Sequence, residues 1–348
     1  MIFASMAQLE SEATARLDPF TSAYINGGAG DTPTENVRGW GRYRLRPRML
    51  YDVSSISTET VLIGNTPVTC PILVAPTAMH RLLHPEGELA TAQGAAQAGA
   101  VYVLSMASTI SLEDVAKAAP GSPQWFQMYV LKDRGLTREA CQRAAAAGFG
   151  AIVLTVDASV DRTEGTLALR RPVNAHLALP NIAPGVAHPD VFDVAAGYEP
   201  NLTFDDIADV SAWAGGLPVV VKGILRGDDA VRCTQAGIRA IAVSNHGGRQ
   251  VAGSVSTAQA LVDVVAAVGS DVDVLVDGGI RTGTDVVRAL ALGARAVMVG
   301  RPVLWGLTAD GADGVHQVLA ALQRQTRQVM GLCGYGKIAD LTAEAVVG

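Results

Sequence analysis

The residues best suited to chemistry fall in a few short motifs. In SNHGGRQ (244–250), His246 is followed three residues on by Arg249. An imidazole titrates near neutrality and can take a proton, while a guanidinium offers a two-pronged hold on a carboxylate. Asp157 closes the run AIVLTVD (151–157), where a carboxylate can steady the imidazolium that a histidine base becomes. Lys222 lies in PVVVKGI (218–224) among apolar neighbours, so it needs a negative partner or a lowered pKa. A structural ion pair would satisfy it; so would a role in stabilising an anion formed during turnover. DGGIRTG (277–283) and VGRP (299–302) contribute Gly278, Gly279, Arg281, Gly300 and Arg301. Glycines let backbone N–H groups approach an anion, and a helix start adds its dipole. Two such turns with two arginines predict a phosphate-bearing ligand. Neither a serine or cysteine nucleophile arrangement nor a metal-ligand cluster competes with this reading.

These motifs sit at the ends of a repeating pattern. Eight apolar runs recur: 71–78, 101–106, 124–130, 151–157, 218–224, 240–246, 273–279 and 295–301. Their hydrophobicity is continuous rather than alternating, which is what strands covered on both faces require. Between them lie helical stretches such as EGELATAQGAAQAG and GTDVVRALALG, most ending in a glycine where a helix C-cap falls. Eight strand–helix units in succession predict a closed (β/α)8 TIM barrel in preference to an open doubly wound sheet. In such a barrel the chemistry belongs at the C-terminal strand ends. Thr77, Ser105, Gln127, Tyr129, Thr155, Asp157, Lys222, Ser244, His246, Asp277, Arg281 and Arg301 all fall there. Burying such groups without partners costs about 1–3 kcal/mol each, so a polar ligand is expected.

Two spacings depart from the repeat. Residues 1–70 precede the first strand and are expected to form an N-terminal helical cap over one barrel end. Residues 158–217 separate the fourth and fifth strands by more than one helix needs, which predicts a lid insertion over the mouth. One domain over 1–348 is expected, because α/β barrels commonly exceed 250 residues as a unit.

Composition narrows the function classes. A net charge of −6 over 348 residues gives no basic face for nucleic acid. No run of about 18 apolar residues suggests a membrane span, and MIFASMAQLESEATARL lacks the basic and apolar regions of a secretory signal. Cys70, Cys141, Cys233 and Cys333 are far apart and read as reduced thiols of a cytoplasmic protein, with no metal site.

Nearly the whole chain resembles the FMN-dependent 2-hydroxy-acid oxidase and dehydrogenase family, which includes glycolate oxidase, lactate oxidase and mandelate dehydrogenase. The resemblance runs from YINGGAGD (24–31) through RPRMLYDVS, APTAMHRLLHPEGE, WFQMYVLKDR, LTVD and VVKGIL to SNHGGRQ and LVDGGIRTGTDVVRALALGARAVMVGRP. It implies FMN contacts at Pro76, Thr77, Ala78, Ser105, Gln127, Thr155, Lys222 and Ser244, and at Asp277, Gly278, Gly279, Ile280, Arg281, Gly300 and Arg301. His246 would be the base, Asp157 its orienter, and Lys222 the neighbour of the reduced cofactor's charge. Tyr24, Tyr129 and Arg249 would hold the substrate carboxylate and hydroxyl. The family's second carboxylate-binding arginine falls seven residues past the aspartate, where this chain has Glu164. Arg162 is the nearest replacement, with Arg170 and Arg171 as alternates. The implied reaction turns a 2-hydroxy acid into its 2-oxo acid, with O2 reduced to hydrogen peroxide, in a homotetramer. LSMASTISLEDVA resembles mandelate dehydrogenases and puts Ala107 where glycolate oxidases carry a bulky tryptophan, which leans the expectation towards a bulky or aromatic, mandelate-like acid.

Three alternatives follow from the same residues. One is an FMN-dependent enzyme acting on a substrate without a simple carboxylate. Another is an FMN-dependent isomerase-type barrel, which the His246/Arg249 pair disfavours. The third is a flavoprotein that has kept FMN and lost catalysis.

Overall fold

The computed structural model describes residues 5–158, 177–185 and 197–348. Three helices come first: α1 (Met6–Arg16), α2 (Pro19–Asn26) and α3 (Thr32–Gly41). Strand β1 (Arg44–Leu45) and a hairpin of β2 (Thr60–Leu62) and β3 (Thr66–Val68) follow. The expected barrel then appears. Its strands are β4 (Ile72–Val74), β5 (Tyr102–Ser105), β6 (Gln124–Met128), β7 (Ile152–Thr155), β8 (Val219–Ile224), β9 (Ala240–Val243), β10 (Asp273–Val276) and β11 (Ala296–Val299), one in each predicted run. All eight pair in parallel and close on themselves, β11 returning to β4. The crossovers carry α4 (Gly87–Gln97), α5 (Leu112–Ala118), α6 (Arg134–Ala146), α7 (Asp206–Trp213), α8 (Gly227–Gln235), α9 (Thr257–Val268) and α10 (Gly283–Ala291). The long α11 (Arg301–Leu332) follows β11, and β12 (Val346–Val347) pairs back onto β1.

The two faces of each strand explain the unbroken apolar runs. Outward residues such as Val74, Leu104, Phe126, Leu154, Val221 and Val276 pack into the layer shared with the helices. Inward residues, among them Leu73, Val103, Trp125, Val153, Val220, Leu275 and Met298, form a separate cluster inside the barrel. Both sets are buried, so neither face could be polar.

The first 70 residues do not form a purely helical cap. They divide between the two barrel ends. Helices α2 and α3 lie against the C-terminal mouth, whereas Leu62 and Val68 of the hairpin join the inner cluster and plug the opposite end. TVLIGNTPV carries β-branched residues around a Gly-Asn turn, with Gly64 at φ 70°, and apolar side chains on one face suit a plug better than a surface helix. The 158–217 stretch is also composite. Its last part is α7, an ordinary barrel crossover helix.

Candidate active site

Strand alternation builds the site directly. Two residues beyond the inward apolar positions Ala75, Val103, Trp125, Val153, Val220, Ala242, Leu275 and Met298 come Thr77, Ser105, Gln127, Thr155, Lys222, Ser244, Asp277 and Gly300. A side-chain period of two keeps these on the same inward face. The interior therefore changes from apolar to polar in a single step at the C-terminal mouth. On one side of this layer the Gln127 amide donates to Thr155 Oγ1 at 2.9 Å and accepts from Ser105 Oγ at 3.1 Å. Register sets Ser105 beside Gln127 and Thr155 beside Lys222.

A charged cluster occupies the other side. His246 Nδ1 lies 2.9 Å from Asp157 Oδ1, and its backbone N–H donates to Ser244 Oγ at 3.0 Å. His246 adopts φ 59°, a left-handed conformation continued through Gly247 and Gly248, and this turns the ring over the mouth. The buried Lys222 ammonium donates to Ser244 Oγ at 2.9 Å and lies 3.3 Å from Asp277 Oδ2. Burial opposes its charge, but Asp277, Asp157 and Tyr129 outweigh that and hold its pKa above the ordinary lysine value. Burial likewise raises the Asp157 carboxyl, and His246 and Lys222 more than reverse it, leaving the pKa below 3.8. Asp157 is thus a fixed anion under the imidazole, able to hold the Nδ1 proton and leave Nε2 as the basic atom. One bulge makes this fit possible. The β8–β9 register shifts between Lys222 and Ile224. Gly223 there has φ 115°, and a Cβ on it would come within 2.8 Å of Asp157 Cβ.

Two half-buried guanidiniums lie beyond this cluster. Arg301 donates to the carbonyls of Ile25, Gly247 and Gly27 at 3.1, 2.9 and 2.8 Å. Arg281 donates to the Ile280 carbonyl at 3.0 Å and lies 5.0 Å from the centre of the Trp305 ring. None of these partners carries a charge. Burial, with Arg281 nearby, pulls the Arg301 pKa down to about 10, and burial lowers that of Arg281 as well. A pair of half-buried cations without a direct carboxylate partner among the described residues, at a helix start, is suited to an anion with two charges. Asp277 Oδ1 and Asp157 Oδ2 are buried without a hydrogen-bond partner among the described residues. The first is suited to a ligand hydroxyl.

Several supporting residues escaped the sequence reading. Asn36 on α3 and Asn245 exchange amide hydrogen bonds of 2.7 and 2.8 Å, and Asn245 Oδ1 also receives the Gly248 N–H at 2.9 Å. Trp40 Nε1 donates to the Gly278 carbonyl at 2.8 Å. A Cβ on Gly279 would fall 2.1 Å from the Asn36 carbonyl oxygen, and one on Gly248 would fall 2.6 Å from Pro33 N. The paired glycines of both motifs therefore have a packing role as well: they let the cap press onto the loops after β9 and β10.

Around the mouth, Arg249 Nη1 donates to the carbonyls of Tyr24 at 2.6 Å and Gly27 at 3.2 Å, with its guanidinium 5.1 Å from the Tyr24 ring centre. Tyr129 stacks on Tyr198 at 4.3 Å, a residue of the 158–217 stretch that sequence alone did not single out. Its backbone neighbours bond to the β6 loop through Lys132 N–H to Gly197 O and Glu199 N–H to Val130 O, both 2.9 Å. Ala107 follows Ser105, whose hydroxyl accepts the Ala107 N–H at 3.2 Å, and its carbonyl accepts the Met79 N–H at 3.2 Å. Pro76 and Ala78 flank Thr77 in the turn after β4. Arg162, Arg170 and Arg171 lie outside the described residues. Among the described residues there is no group of three potential metal ligands and no helix long and apolar enough to cross a membrane.

A closed parallel barrel whose mouth joins a buried lysine and a His–Asp pair to a dicationic anion pocket defines an α/β-barrel enzyme built around a phosphate-bearing cofactor. Comparison narrows the class. Residues 13–348 match the family model described as FMN-dependent dehydrogenase. An L-lactate oxidase of Nostoc sp. is 45% identical, with 97% of this chain and 96% of that protein covered. A peroxisomal (S)-2-hydroxy-acid oxidase of Oryza sativa subsp. japonica is 42% identical over 93% of this chain and 90% of its own length. The solved structure of mandelate oxidase with benzoyl-formic acid superposes with a TM-score of 0.90 at 38% identity, covering 99% of this chain and 98% of that one. A mandelate oxidase variant with a C4a-OH-FMN adduct gives a TM-score of 0.88 at 39% identity, with 97% of each chain covered. The chain belongs to the FMN-dependent dehydrogenase family, and FMN is its cofactor.

Proposed function

We propose that this protein oxidises a 2-hydroxy acid to the 2-oxo acid, with O2 reduced to hydrogen peroxide. The observation that carries the reading is the His246–Asp157 pair at 2.9 Å in the same mouth as the buried Lys222. Bound FMN supplies the two-electron acceptor from which O2 is reduced. His246 Nε2 takes the proton released by the substrate, and Asp157 stabilises the imidazolium through Nδ1. Lys222, kept charged by Asp277 and Asp157, would serve as the counter-ion to negative charge on the reduced cofactor. Arg249, Tyr24 and Tyr129 hold the carboxylate and hydroxyl, with Arg162 as the second carboxylate partner. Arg281 and Arg301, with the turn amides of Gly279 and Gly300, receive the cofactor phosphate, and Asp277 Oδ1 receives a polyol hydroxyl. Pro76, Thr77, Ala78, Ser105, Gln127, Thr155, Ser244, Gly278 and Ile280 line the remaining cofactor surface.

A bulky, mandelate-like acid is the favoured substrate, supported by the methyl side chain of Ala107 and the likeness to mandelate oxidase. The 45% identity to a lactate oxidase supports lactate as the second reading. Anaerobic bleaching of the flavin by mandelate, 4-hydroxymandelate, lactate and glycolate in turn ranks the substrates, and a peroxide assay over the same panel tests the acceptor. Absence of bleaching by every acid overturns the reading. The chain is proposed to work as one barrel unit over 1–348, with the helices of its first 41 residues against the mouth and the 60–68 hairpin closing the opposite end. It is further proposed to be cytoplasmic and tetrameric, which light scattering of the purified protein checks for the subunit number.

A further inference from the structure

A buried histidine outside the His246 cluster touches the cofactor side of the barrel from behind. His80 follows the β4 turn and is fully buried. Both ring nitrogens meet hydroxyls: Nε2 lies 2.8 Å from Thr77 Oγ1, and Nδ1 lies 2.9 Å from Thr91 Oγ1. Thr91 Oγ1 is also 3.4 Å from the Gly87 carbonyl, which can only accept. The Gly87 carbonyl gives the Thr91 hydrogen an acceptor, an arrangement that favours the His80 proton on Nδ1 with Nε2 accepting from the Thr77 hydroxyl. The backbone is pinned as well. Glu88 Oε1 accepts the N–H groups of His80 at 3.0 Å and Thr109 at 2.9 Å, and Oε2 accepts the Thr109 hydroxyl at 2.5 Å. This buried carboxylate ties the loop after β4 to the loop after β5. With its hydroxyl turned to His80, Thr77 directs its methyl towards Gly300, where a Cβ would lie 3.5 Å from it.

We propose that His80, neutral with its proton on Nδ1, is a positioning residue of the cofactor site that locks Thr77 in one rotamer and so fixes the Pro76–Ala78 turn against Gly300. Two titratable groups face the ring. Glu88 spends both oxygens on the loops, and the buried Tyr102 ring lies 6.2 Å from the His80 ring, its hydroxyl without a hydrogen-bond partner among the described residues. Burial lowers the His80 pKa despite the Glu88 charge and a bond to the Thr77 backbone, which agrees with a neutral ring. The inference rests on FMN occupying the barrel mouth and on Thr77 contacting it. It does not depend on the identity of the substrate.

The test measures FMN affinity of the apoprotein by quenching of flavin fluorescence, which uses no 2-hydroxy acid and so fails or succeeds separately from the substrate reading. His80→Leu and Thr77→Val should each weaken binding about tenfold, and the double variant no further, because both remove the same contact. His80→Gln, whose amide offers an acceptor and a donor, should restore affinity to within about threefold of the parent. Multiplicative losses in the double variant, or a Gln variant no better than Leu, overturn the proposal. Should the Leu variant fail to fold, the parent protein still decides. Labelled with 15N-histidine, it should show a His80 ring protonated on Nδ1 and unchanged between about pH 6 and pH 8. A proton on Nε2, or titration in that window, overturns it.

Discussion

The inside of this barrel is two regions built from the same strands. In the lower layers Trp125, Val153, Val220 and Leu275 meet one another and the hairpin plug. One strand period higher, Gln127, Thr155, Lys222 and Asp277 take the same inward direction. The lower region gains stability from area removed from water and has no side-chain polar atom to satisfy apart from the Trp125 indole N–H, which is buried without a partner among the described residues. The upper region holds a lysine and two carboxylate oxygens without a hydrogen-bond partner among the described residues, a costly arrangement for an empty core. The difference teaches that the lower layers stabilise the fold and that the upper layer is incomplete without a ligand.

That division makes separable predictions. The largest effect belongs to His246→Ala, which should lower turnover by about 10³-fold or more while FMN stays bound. Stopped-flow flavin reduction checks it, and reduction at the parent rate removes His246 from the role of base. Next, Trp125→Ala should cost about 3–5 kcal/mol of unfolding free energy with near-parent turnover per folded molecule. Urea unfolding beside active-site titration reads both quantities, and an activity loss without a stability loss would erase the boundary between the layers. Arg249→Lys should raise KM about ten- to hundredfold, since a point charge cannot reproduce a planar fork. An unchanged KM for the best acid counts against that contact.

The smallest effect is a pH dependence. The Asp157 pKa is depressed on folding, so its stabilisation is present in full above the unfolded value of 3.8 and is lost as pH falls below it. The parent should therefore lose more stability than Asp157→Asn between about pH 5 and pH 3, as read from urea midpoints. Equal losses would mean that the His246–Asp157 pair adds nothing to folding and would sharpen its assignment to catalysis.

Much of the architecture could be read along the chain. Each of the eight apolar runs became a strand, and the polar residue closing each run, such as Ser105 or Asp277, entered the mouth layer. The helical reading of residues 1–70 was too simple. Val61 and Val68 carry the strand preference of β-branched residues, and the barrel bottom needs an apolar plug. Tyr198 was invisible because its partner Tyr129 lies far off in sequence. Asn36, Asn245, Gly223 and His80 were missed for a shared reason. Their importance comes from a neighbour across the barrel or on another loop, and no local pattern records that neighbour.

Sequence alone determined the strand count, the closure and the ring of polar strand ends, because side-chain alternation and turn chemistry act over a few residues. Tertiary structure decided which charge faces which. Asp277 pairs with Lys222, Asp157 underlies His246, and Arg281 and Arg301 share one pocket with no carboxylate of the described residues in direct contact, only the more distant charges of Glu10, Asp277 and Asp285. Electrostatic coupling depends on separation through space, and only the closed barrel brings those side chains within a few ångströms of one another.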